Sequence, residues 1–394
     1  MSSEKKRAIV FLGMVYPYGI VRHFAQQAAE VNKLAEGGGV DFFFASMKRR
    51  NDASNADAWG IIAGSFNGDR IIVKPTFQEE IFAIAELFDR YDRVLLHYEG
   101  GLSQTRYILP FKKQFGDRLI LMATTQYFQN NSWKRVPVSM LQCWLYLRYV
   151  RMVNFQTPFA ARKFVGHSLL FKRGKATIIP MACTTQVDDD NEVPELVERM
   201  NLADLLQDER KFKFVYLAGF RPGKNHMWLI ESMASILKEH PHVHLLLFGR
   251  GGSIRDDVIA RARGLGLSSQ VLAPGALPHQ NVLWVLRHCN CAIVPSVSET
   301  FGHAYIEPMM AGLPILGTRV GAGEYVVRDY QTGFAFDLHS PATLQAAVRA
   351  LIDDQEETKR MGSNARAMAE RMFSFEGVAR AHYLLYKHLL FENG

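Results

Sequence analysis

Short apolar runs alternate with amphipathic stretches along the whole chain of 394 residues. The runs of the first half read AIVFLGMV, VDFFFAS, RVLLHYEGG, RLILMATTQ, MVNFQ and ATIIPM, and those of the second half FKFVYLAGF, VHLLLFG, QVLAPG, CAIVPS, PILGT and GFAFD. Continuous apolar runs separated by stretches with helical spacing are typical of a parallel sheet covered by helices on both faces. The pattern predicts an α/β protein with two doubly wound, Rossmann-like domains.

The boundary between the two halves is predicted from charge. The stretch DDDNEVPELVERMNLADLLQDER, residues 188–210, is strongly acidic and is typical of a solvated linker or surface helix. We therefore expect one domain over residues 1–190 and a second over residues 205–373.

The N-terminal run and the cysteines indicate the cellular compartment. The N-terminal run is interrupted by Pro17, Tyr18 and Gly19, which favours a first strand and turn over a signal peptide. No stretch has the roughly 20 apolar residues that a membrane-spanning helix needs. The four cysteines are too few and too poorly spaced for a disulfide framework or a zinc site. We expect a cytoplasmic protein without a structural metal.

Basic residues are concentrated in residues 101–187, which contain thirteen lysines and arginines and one acid, a net charge of +12. The segment includes the aromatic stretch WKRVPVSMLQCWLYLRYVRMVNF. Such a segment is expected to lie on an anionic membrane surface or to bind a phosphorylated lipid-linked glycan, whereas a core helix with a wet cationic face remains an alternative. No recognised DNA or RNA module accompanies it, so we predict no nucleic-acid partner.

Two motifs follow apolar runs, where open α/β sheets bind their ligands. In LAGFRPGKNHMWL, Arg221 and Lys224 lie beside a predicted helix start near Asn225 or His226, which suits a diphosphate. The alternative is that Arg221 and Lys224 are ordinary basic residues of a solvated loop. Because the chain has no Walker loop and no GxGxxG fingerprint, no dinucleotide cofactor is expected.

In SETFGHAYIEP, Glu299 precedes a helix predicted to begin near Gly302, and Glu307 lies inside it. A helical spacing of eight residues would place the two carboxylates roughly 12 Å apart, so they can contact different parts of one extended ligand. The structural alternative is that Glu299 caps the helix and Glu307 is a surface residue. Pro308 predicts either a late helix start or a kink.

The block from Phe212 to Asp337 resembles the nucleotide-binding domain of the retaining glycosyltransferases of family 4, which have the GT-B fold. The matching elements, in order, are GFRPGKN, LLLFGRG, VLAPGALP, the PSxxExFGxxxxE segment, MAGLPIL and GAGEYVVRDYQTGFAFD. The resemblance covers about a third of the chain strongly and the first half weakly. It implies two Rossmann-like domains that face an interdomain cleft, with a C-terminal helix over about 374–394 crossing back to the first domain.

The resemblance also implies roles for individual residues. Arg221 and Lys224 would bind the donor diphosphate and offset the charge of the leaving nucleotide without a metal ion. Glu299 would approach the transferred sugar, and Glu307 would accept hydrogen bonds from the ribose. The other expected donor-binding residues are Thr300, Phe301 and Gly302 through backbone N–H groups, Gly249, Arg250 and Leu277 near the base, and Gly19 in the first-strand loop.

The first half departs further from the family pattern. One glycine of the first-strand pair is replaced, which leaves Gly19, and Gln126 stands where many members have histidine. His97, at the end of a predicted strand, is similar to a family histidine near the reacting sugar, and a buried or solvated histidine is an equal alternative.

These observations predict a retaining glycosyltransferase that moves a sugar from a nucleoside diphosphate, more readily UDP than GDP, to a hydroxyl of a glycan or glycolipid. Its catalytic residues would be Glu299, His97, Arg221 and Lys224. The alternatives are a GT-B-fold sugar-nucleotide epimerase and a non-catalytic protein that binds glycans or anionic lipids.

Overall fold

The structure, a computed structural model, describes residues 6–12, 20–36, 39–47, 56–74, 76–99, 102–125, 148–164, 167–183, 193–251, 253–299 and 301–391. The chain divides into two compact units. Unit 1 contains Met1–Ala182 together with Phe373–Gly394, and unit 2 contains Cys183–Met372. The division at Cys183 comes shortly before the acidic stretch from which a boundary was predicted.

Unit 1 has, in its described part, a parallel sheet of seven strands in the order β3-β2-β1-β4-β5-β6-β7. The strands are β1 (Arg7–Leu12), β2 (Asp41–Met47), β3 (Ile71–Lys74), β4 (Arg93–Glu99), β5 (Leu119–Thr125), β6 (Met152–Phe155) and β7 (Ala176–Ile178). Every strand except β3 corresponds to a predicted apolar run. The sequence pattern did not indicate β3 because IIVK is a short, partly exposed strand at the edge of the sheet.

The helices of unit 1 lie between these strands and at the end of the chain. They are α1 (Ile20–Glu36), α2 (Ala56–Ser65), α3 (Phe77–Glu86), α4 (Leu102–Phe115), α5 (Pro158–Lys163), α6 (His167–Lys172) and the last helix, α16 (Phe375–Phe391). Hydrogen bonds join α16 to the rest of the unit, from Gln27 to His382 at 3.2 Å and from Arg93 Nη1 to the Leu390 carbonyl at 2.9 Å. The C-terminal helix is therefore an integral part of unit 1.

Unit 2 contains a parallel sheet of six strands in the order β10-β9-β8-β11-β12-β13. The strands are β8 (Phe212–Leu217), β9 (Val243–Phe248), β10 (Val271–Gly275), β11 (Cys291–Val294), β12 (Ile315–Gly317) and β13 (Gly333–Ala335). All correspond to predicted runs, and β9, β11 and β12 are buried throughout, as expected for strands covered on both faces. The prediction of two doubly wound parallel sheets is confirmed.

The helices of unit 2 follow the same alternation. They are α7 (Glu195–Arg199), α8 (Ala203–Gln207), α9 (His226–Glu239), α10 (Ser253–Gly264), α11 (His279–Arg287), α12 (His303–Met310), α13 (Gly323–Val326), α14 (Pro341–Asp353) and α15 (Gln355–Phe373). None of the helices in the described ranges of the chain is long and apolar enough to cross a membrane.

Helix α12 corrects one expectation. It begins at His303, next to the predicted start at Gly302, and Pro308 lies inside it rather than in its first turn. The alternative of a late helix start is therefore wrong. Proline removes one intrahelical hydrogen bond and crowds the carbonyl four residues before it. The helix ends at Met310, so this loss falls close to its C-terminus.

Candidate active site

The turn after β8 holds the two cations that the sequence predicted. β8 ends at Leu217, and Pro222–Lys224 form a single 3-10 turn before α9 begins at His226. The backbone N–H of Phe220 donates to the Arg250 carbonyl at 2.8 Å, which joins this turn to the chain after β9. Arg221 is exposed at the beginning of the turn, and Lys224 is partly buried at its end. Two cations and a helix N-terminus thus lie together at the carboxyl edge of the unit 2 sheet.

Glu299 lies in the loop after β11 and is 7% exposed. Its Oε1 forms an ion pair with Lys224 Nζ and accepts a hydrogen bond from Ser296 Oγ at 2.7 Å. Sequence analysis expected Glu299 and Lys224 to contact different parts of a ligand. The structure brings them together, so each neutralises the other when no ligand is bound. This pairing was not predicted.

The buried tyrosine Tyr216 connects the two loops. Its hydroxyl lies 2.9 Å from Ser296 Oγ and donates to the Lys224 carbonyl at 3.1 Å. Burial raises the pKa of Tyr216 well above its ordinary value, so the hydroxyl stays protonated and can donate. A backbone hydrogen bond of 3.0 Å from the Val297 N–H to the Gly223 carbonyl joins the same loops. The positions of Lys224 and Glu299 are therefore fixed by three independent contacts with the chain around them.

The glycine at residue 302 shapes the start of α12. Gly302 has a φ of +100°, and a Cβ there would lie 2.8 Å from the ring of Tyr305. No side chain caps the helix. The first N–H groups of a helix point out of its N-terminal end, and in α12 the Tyr305 N–H donates to the Gly302 carbonyl at 2.9 Å. Phe301 is buried and its carbonyl accepts a hydrogen bond from the Ala322 N–H at 2.7 Å, while Thr300 lies outside the described residues.

The loop after β12 packs directly on the Glu299 loop. Gly321 has a φ of +56°, and a Cβ added to it would lie 2.6 Å from the Cβ of Glu299. Behind it, Tyr305 donates from its hydroxyl to the Thr318 carbonyl at 2.9 Å, and Thr318 Oγ1 donates to the Ser296 carbonyl at 2.7 Å. The motif VGAGEYVV thus supports the position of Glu299 from the adjacent strand.

The residues expected around the nucleoside also lie at this carboxyl edge. Gly249 follows β9, and a Cβ added there would come within 1.9 Å of the Ala218 carbonyl oxygen, so only glycine permits this approach of the two strand ends. Arg250 is exposed and Leu277 is partly buried after β10. Glu307 is partly buried on α12, and burial raises its pKa to about 7. Gly19 lies outside the described residues.

His97 does not lie in an open site. It is in β4, is 1% exposed, and has both ring nitrogens in hydrogen bonds, with the Tyr386 hydroxyl at 2.5 Å and with Thr124 Oγ1 at 2.7 Å. Burial and the neighbouring His382 hold the pKa of His97 well below its ordinary value. The geometry favours the alternative of a neutral core histidine over a catalytic one. Gln126, the other residue singled out in this half, lies outside the described residues.

Three supporting residues, Tyr216, Ser296 and Tyr305, were not predicted. Ser296 and Tyr305 both fall inside sequence stretches that were quoted for other reasons, and Tyr216 reads only as one more apolar strand position. Their roles depend on partners far away in the sequence, such as Ser296 with Tyr216. A strand residue with a polar tip beside a predicted ligand loop is the one indication that the sequence offered.

Metal chemistry finds no support in the parts of the chain that the structure describes. No group of three or more His, Cys, Asp or Glu side chains there could hold a metal ion. Cys183, Cys289 and Cys291 are buried. The absence of a metal requirement stays a prediction.

The sequence of this unit matches a known protein family. Residues 198–368 match the sequence profile of the family "Glycosyl transferases group 1". The matched segment contains Arg221, Lys224, Glu299 and Glu307, and so the whole edge just described. The prediction of a glycosyltransferase domain is confirmed, while membership of family 4 in particular stays a prediction.

Known proteins resemble the chain in two ways. It is 30% identical over 180 residues to D-inositol 3-phosphate glycosyltransferase of Segniliparus rotundus, which covers 45% of this chain and 40% of that protein. It is also 30% identical over 158 residues to glycogen synthase of Mycobacterium tuberculosis, which covers 40% of this chain and 38% of that protein. The chain thus matches about two fifths of the length of each relative.

Solved structures resemble the chain over almost its full length. Anabaena HepE, solved in complex with UDP and glucose, has a TM-score of 0.74 and 15% identity, over 97% of this chain and 99% of that one. At this identity the likeness concerns the fold alone. The predicted GT-B fold is confirmed.

Proposed function

We propose that the protein is a glycosyltransferase that moves a sugar from a UDP-sugar to a hydroxyl of a glycan or glycolipid and retains the anomeric configuration. The observation that carries the proposal is the ion pair of Lys224 with Glu299 at the carboxyl edge of the unit 2 sheet, in the turn that begins at Arg221. It is supported by the family match over residues 198–368 and by relatives that are named glycosyltransferase and glycogen synthase. UDP is favoured over GDP because HepE, of the same fold, was solved with UDP and glucose.

The arrangement suits the departure of a nucleoside diphosphate. A diphosphate at the turn after β8 can accept hydrogen bonds from Arg221, Lys224 and the first N–H groups of α9. Lys224 is held by Glu299 in the absence of ligand, so the diphosphate competes with that carboxylate for the ammonium group. Once the cations offset the charge of the leaving group, the reaction needs no metal ion.

Glu299 can contact the sugar once Lys224 has exchanged the carboxylate for the phosphate. When Lys224 turns to the phosphate, Glu299 Oε1 keeps its hydrogen bond from Ser296, and its second oxygen is available to the hydroxyls of the transferred sugar. Glu307 accepts hydrogen bonds from the ribose in this proposal, and burial raises its pKa to about 7. His97 takes no part in the proposed reaction.

The acceptor belongs to unit 1 in this proposal, and the basic segment 101–187 brings the protein to an anionic membrane surface or a lipid-linked acceptor at the cytoplasmic side. The described end of that segment, residues 148–164 and 167–183, contains seven lysines and arginines and no acid. Phe171 is 40% exposed on α6 among them. A cationic face with an exposed aromatic side chain suits a surface of acidic lipids.

The test is a screen of the purified protein with UDP- and GDP-sugars, first by thermal stabilisation and then by release of the nucleotide. We expect stabilisation by UDP and by at least one UDP-sugar, and UDP release that depends on an added glycan or glycolipid. UDP release without any acceptor would instead indicate the epimerase. The absence of a shift with every nucleotide would overturn the donor site and leave a binding protein.

A further inference from the structure

A polar cleft of about 580 Å³ lies in unit 2 at the edge of the sheet opposite the candidate active site. Its wall includes Phe212, which begins β8, and Asn290 and Pro314, which directly precede β11 and β12. We call it the amino-edge cleft. Its volume is in the range of small-molecule sites, which is roughly 300–1,000 Å³. The expected diphosphate and sugar contacts follow the carboxyl ends of β8 and β11, so the cleft is separate from them.

Basic side chains outnumber acidic ones around the amino-edge cleft. Its ionisable lining residues, other than a buried cysteine, are three cations, one histidine and one acid, namely Lys213, Arg287, Lys359, His288 and Glu209. Arg287 is exposed in the last turn of α11 and makes no ion pair or hydrogen bond with the described residues. Lys359 pairs with Glu356 on the same helix at 3.0 Å, and both side chains are exposed. An exposed pair of this kind contributes little, so Lys359 can turn to another anion.

Lys213 places a buried cation in the wall of the cleft. The residue is 3% exposed, and its Nζ donates to the carbonyls of Leu206 and Asp208, each at 2.9 Å. An ammonium group has three N–H donors, so these two carbonyls leave one unused. No carboxylate of the described residues forms an ion pair with Lys213. Burial lowers the pKa of Lys213, and an anion bound in the cleft would supply the missing counter-charge.

Helix α12 connects the amino-edge cleft with the candidate active site. Just before its first residue, a Cβ added to Gly302 would lie 3.6 Å from the Cβ of Glu299. The helix ends at Met310, and the next four residues, 311–314, line the cleft. Helical residues rise by about 1.5 Å each, so this short helix joins two sites that are roughly 12 Å apart. A ligand that holds the turn at 311–314 therefore acts on the helix that carries Glu307, the residue expected at the ribose.

We propose that the amino-edge cleft binds a phosphorylated sugar, which acts as an effector of the enzyme. A phosphate group suits Lys213, Arg287 and Lys359, because each can donate a charge-assisted hydrogen bond to one of its oxygens. The side-chain amides of Gln207 and Gln355, which also line the cleft, can bond to sugar hydroxyls. Occupancy changes the affinity for UDP through α12, and this part of the proposal rests on the proposed function.

The experiment titrates the full chain with glucose 6-phosphate, glucose 1-phosphate and inorganic phosphate, with and without saturating UDP, by calorimetry. We expect at least one sugar phosphate to bind in both conditions and to bind more tightly than inorganic phosphate, which cannot use the two amides. Arg287→Gln and Lys359→Gln each remove one charged donor and should weaken this binding by about fivefold to tenfold. Arg263→Gln, which changes an exposed arginine in the last turn of α10, is the matched control and should leave it unchanged.

The site is overturned if no sugar phosphate binds, if saturating UDP abolishes the binding, or if the binding is lost in Lys224→Ala but kept in both cleft variants. Equal affinity for inorganic phosphate would overturn the sugar as part of the ligand.

A UDP titration with and without the sugar phosphate tests the effector role. Linkage requires each ligand to change the affinity for the other by the same factor, and we expect about fivefold or more. Unchanged UDP affinity would overturn the effector role alone. Absent UDP binding by the wild type would overturn the proposed function, while the sugar phosphate titration would still decide whether the amino-edge cleft is a site.

Discussion

His97 in unit 1 and Glu299 in unit 2 show opposite outcomes for two polar residues that both occur near the end of a central strand. His97 lies within β4 itself and forms hydrogen bonds with Tyr386 and Thr124 in the core. Glu299 lies in the loop beyond β11 and pairs with Lys224. A side chain within a strand covered on both faces is taken into the core, whereas one in the following loop remains within reach of a ligand.

The same contrast holds for the carboxylates of the two units. Glu80 in α3 is 0% exposed, and neither of its oxygens has a hydrogen-bond partner. Burial raises the pKa of Glu80 to about 8. Glu299 is nearly as buried but has both an ion pair and a hydrogen bond. Glu80 therefore bears the cost of an unpaired buried carboxyl group, whereas Glu299 is paired where a ligand can replace its partner.

The largest expected effect comes from Lys224→Ala in unit 2. It removes the cation that the diphosphate needs and leaves Glu299 buried without its ion-pair partner. We expect UDP release in the presence of acceptor to fall by roughly 100-fold or more, the loss typical of a group that stabilises developing charge. The control is Lys238→Ala, which changes an exposed lysine on α9, the helix that follows Lys224. Activity within threefold of the wild type for Lys224→Ala would contradict the proposed site.

His97→Ala tests the other side of the comparison. It removes the hydrogen bonds of His97 with the Tyr386 hydroxyl and Thr124 Oγ1 and opens a cavity, so we expect a loss of about 2–4 kcal/mol in the free energy of unfolding. UDP affinity should not change, because the donor residues lie in unit 2. Denaturant unfolding and UDP titration measure the two effects, with the exposed His388→Ala as control. A large loss of UDP affinity in a folded His97→Ala variant would instead support a role for His97 at the donor site.

The pKa of His97 also predicts a pH effect. The folded protein keeps His97 neutral well below its ordinary pKa of 6.5, whereas the unfolded chain binds a proton near that pH. The unfolded state therefore binds more protons below about pH 6.5, and stability decreases as the pH falls through this range. The dependence on pH should be weaker in His97→Ala than in the wild type.

Glu80 is expected to give the stability a pH dependence of opposite sign to that of His97, and Glu80→Gln tests this. The folded protein holds the Glu80 proton up to about pH 8, and the unfolded chain releases it near pH 4.5, so stability falls as the pH rises through this window. Glutamine cannot ionise, and we expect the variant to be more stable than the wild type above pH 8 by about 1–3 kcal/mol. The difference should shrink towards pH 4. Thermal unfolding across this range measures it.

Glu86→Gln, an exposed glutamate on the same helix, is the control for Glu80→Gln and should follow the wild type at every pH. Equal pH profiles for Glu80→Gln and the wild type would mean that Glu80 is paired or solvated in solution. The contrast between the carboxylates of the two units would then be lost.

The smallest expected effect comes from Tyr216→Phe. This change removes one hydroxyl that contacts Ser296 and the Lys224 carbonyl but keeps the ring. We expect a loss of about 1 kcal/mol, seen as a fivefold decrease in kcat/KM for the UDP-sugar. Tyr330→Phe, on the exposed surface of the same unit, is the control. An unchanged kcat/KM would show that backbone contacts alone hold the two loops.

Much of unit 2 could be predicted because its strands are continuous apolar runs and its ligand loops carry recognisable residues. Every strand of the unit 2 sheet, the start of α9 and the start of α12 follow from local patterns. Unit 1 was less predictable at β3, whose half-exposed position gives no continuous run. Pro308 favoured a late helix start, which is wrong because α12 begins at His303 and holds the proline in its last turn.

The sequence by itself determined the two doubly wound sheets, the position of Arg221 and Lys224 at a helix start, and the presence of Glu299 after a buried strand. Only the tertiary structure decided that Lys224 and Glu299 pair, that Tyr216 and Ser296 support them, and that Tyr386 encloses His97. The physical reason is the separation of the interacting residues along the sequence. Strand and helix patterns are set by neighbours along the chain, whereas these partners are 75, 80 and 289 residues apart and meet only when the sheets form.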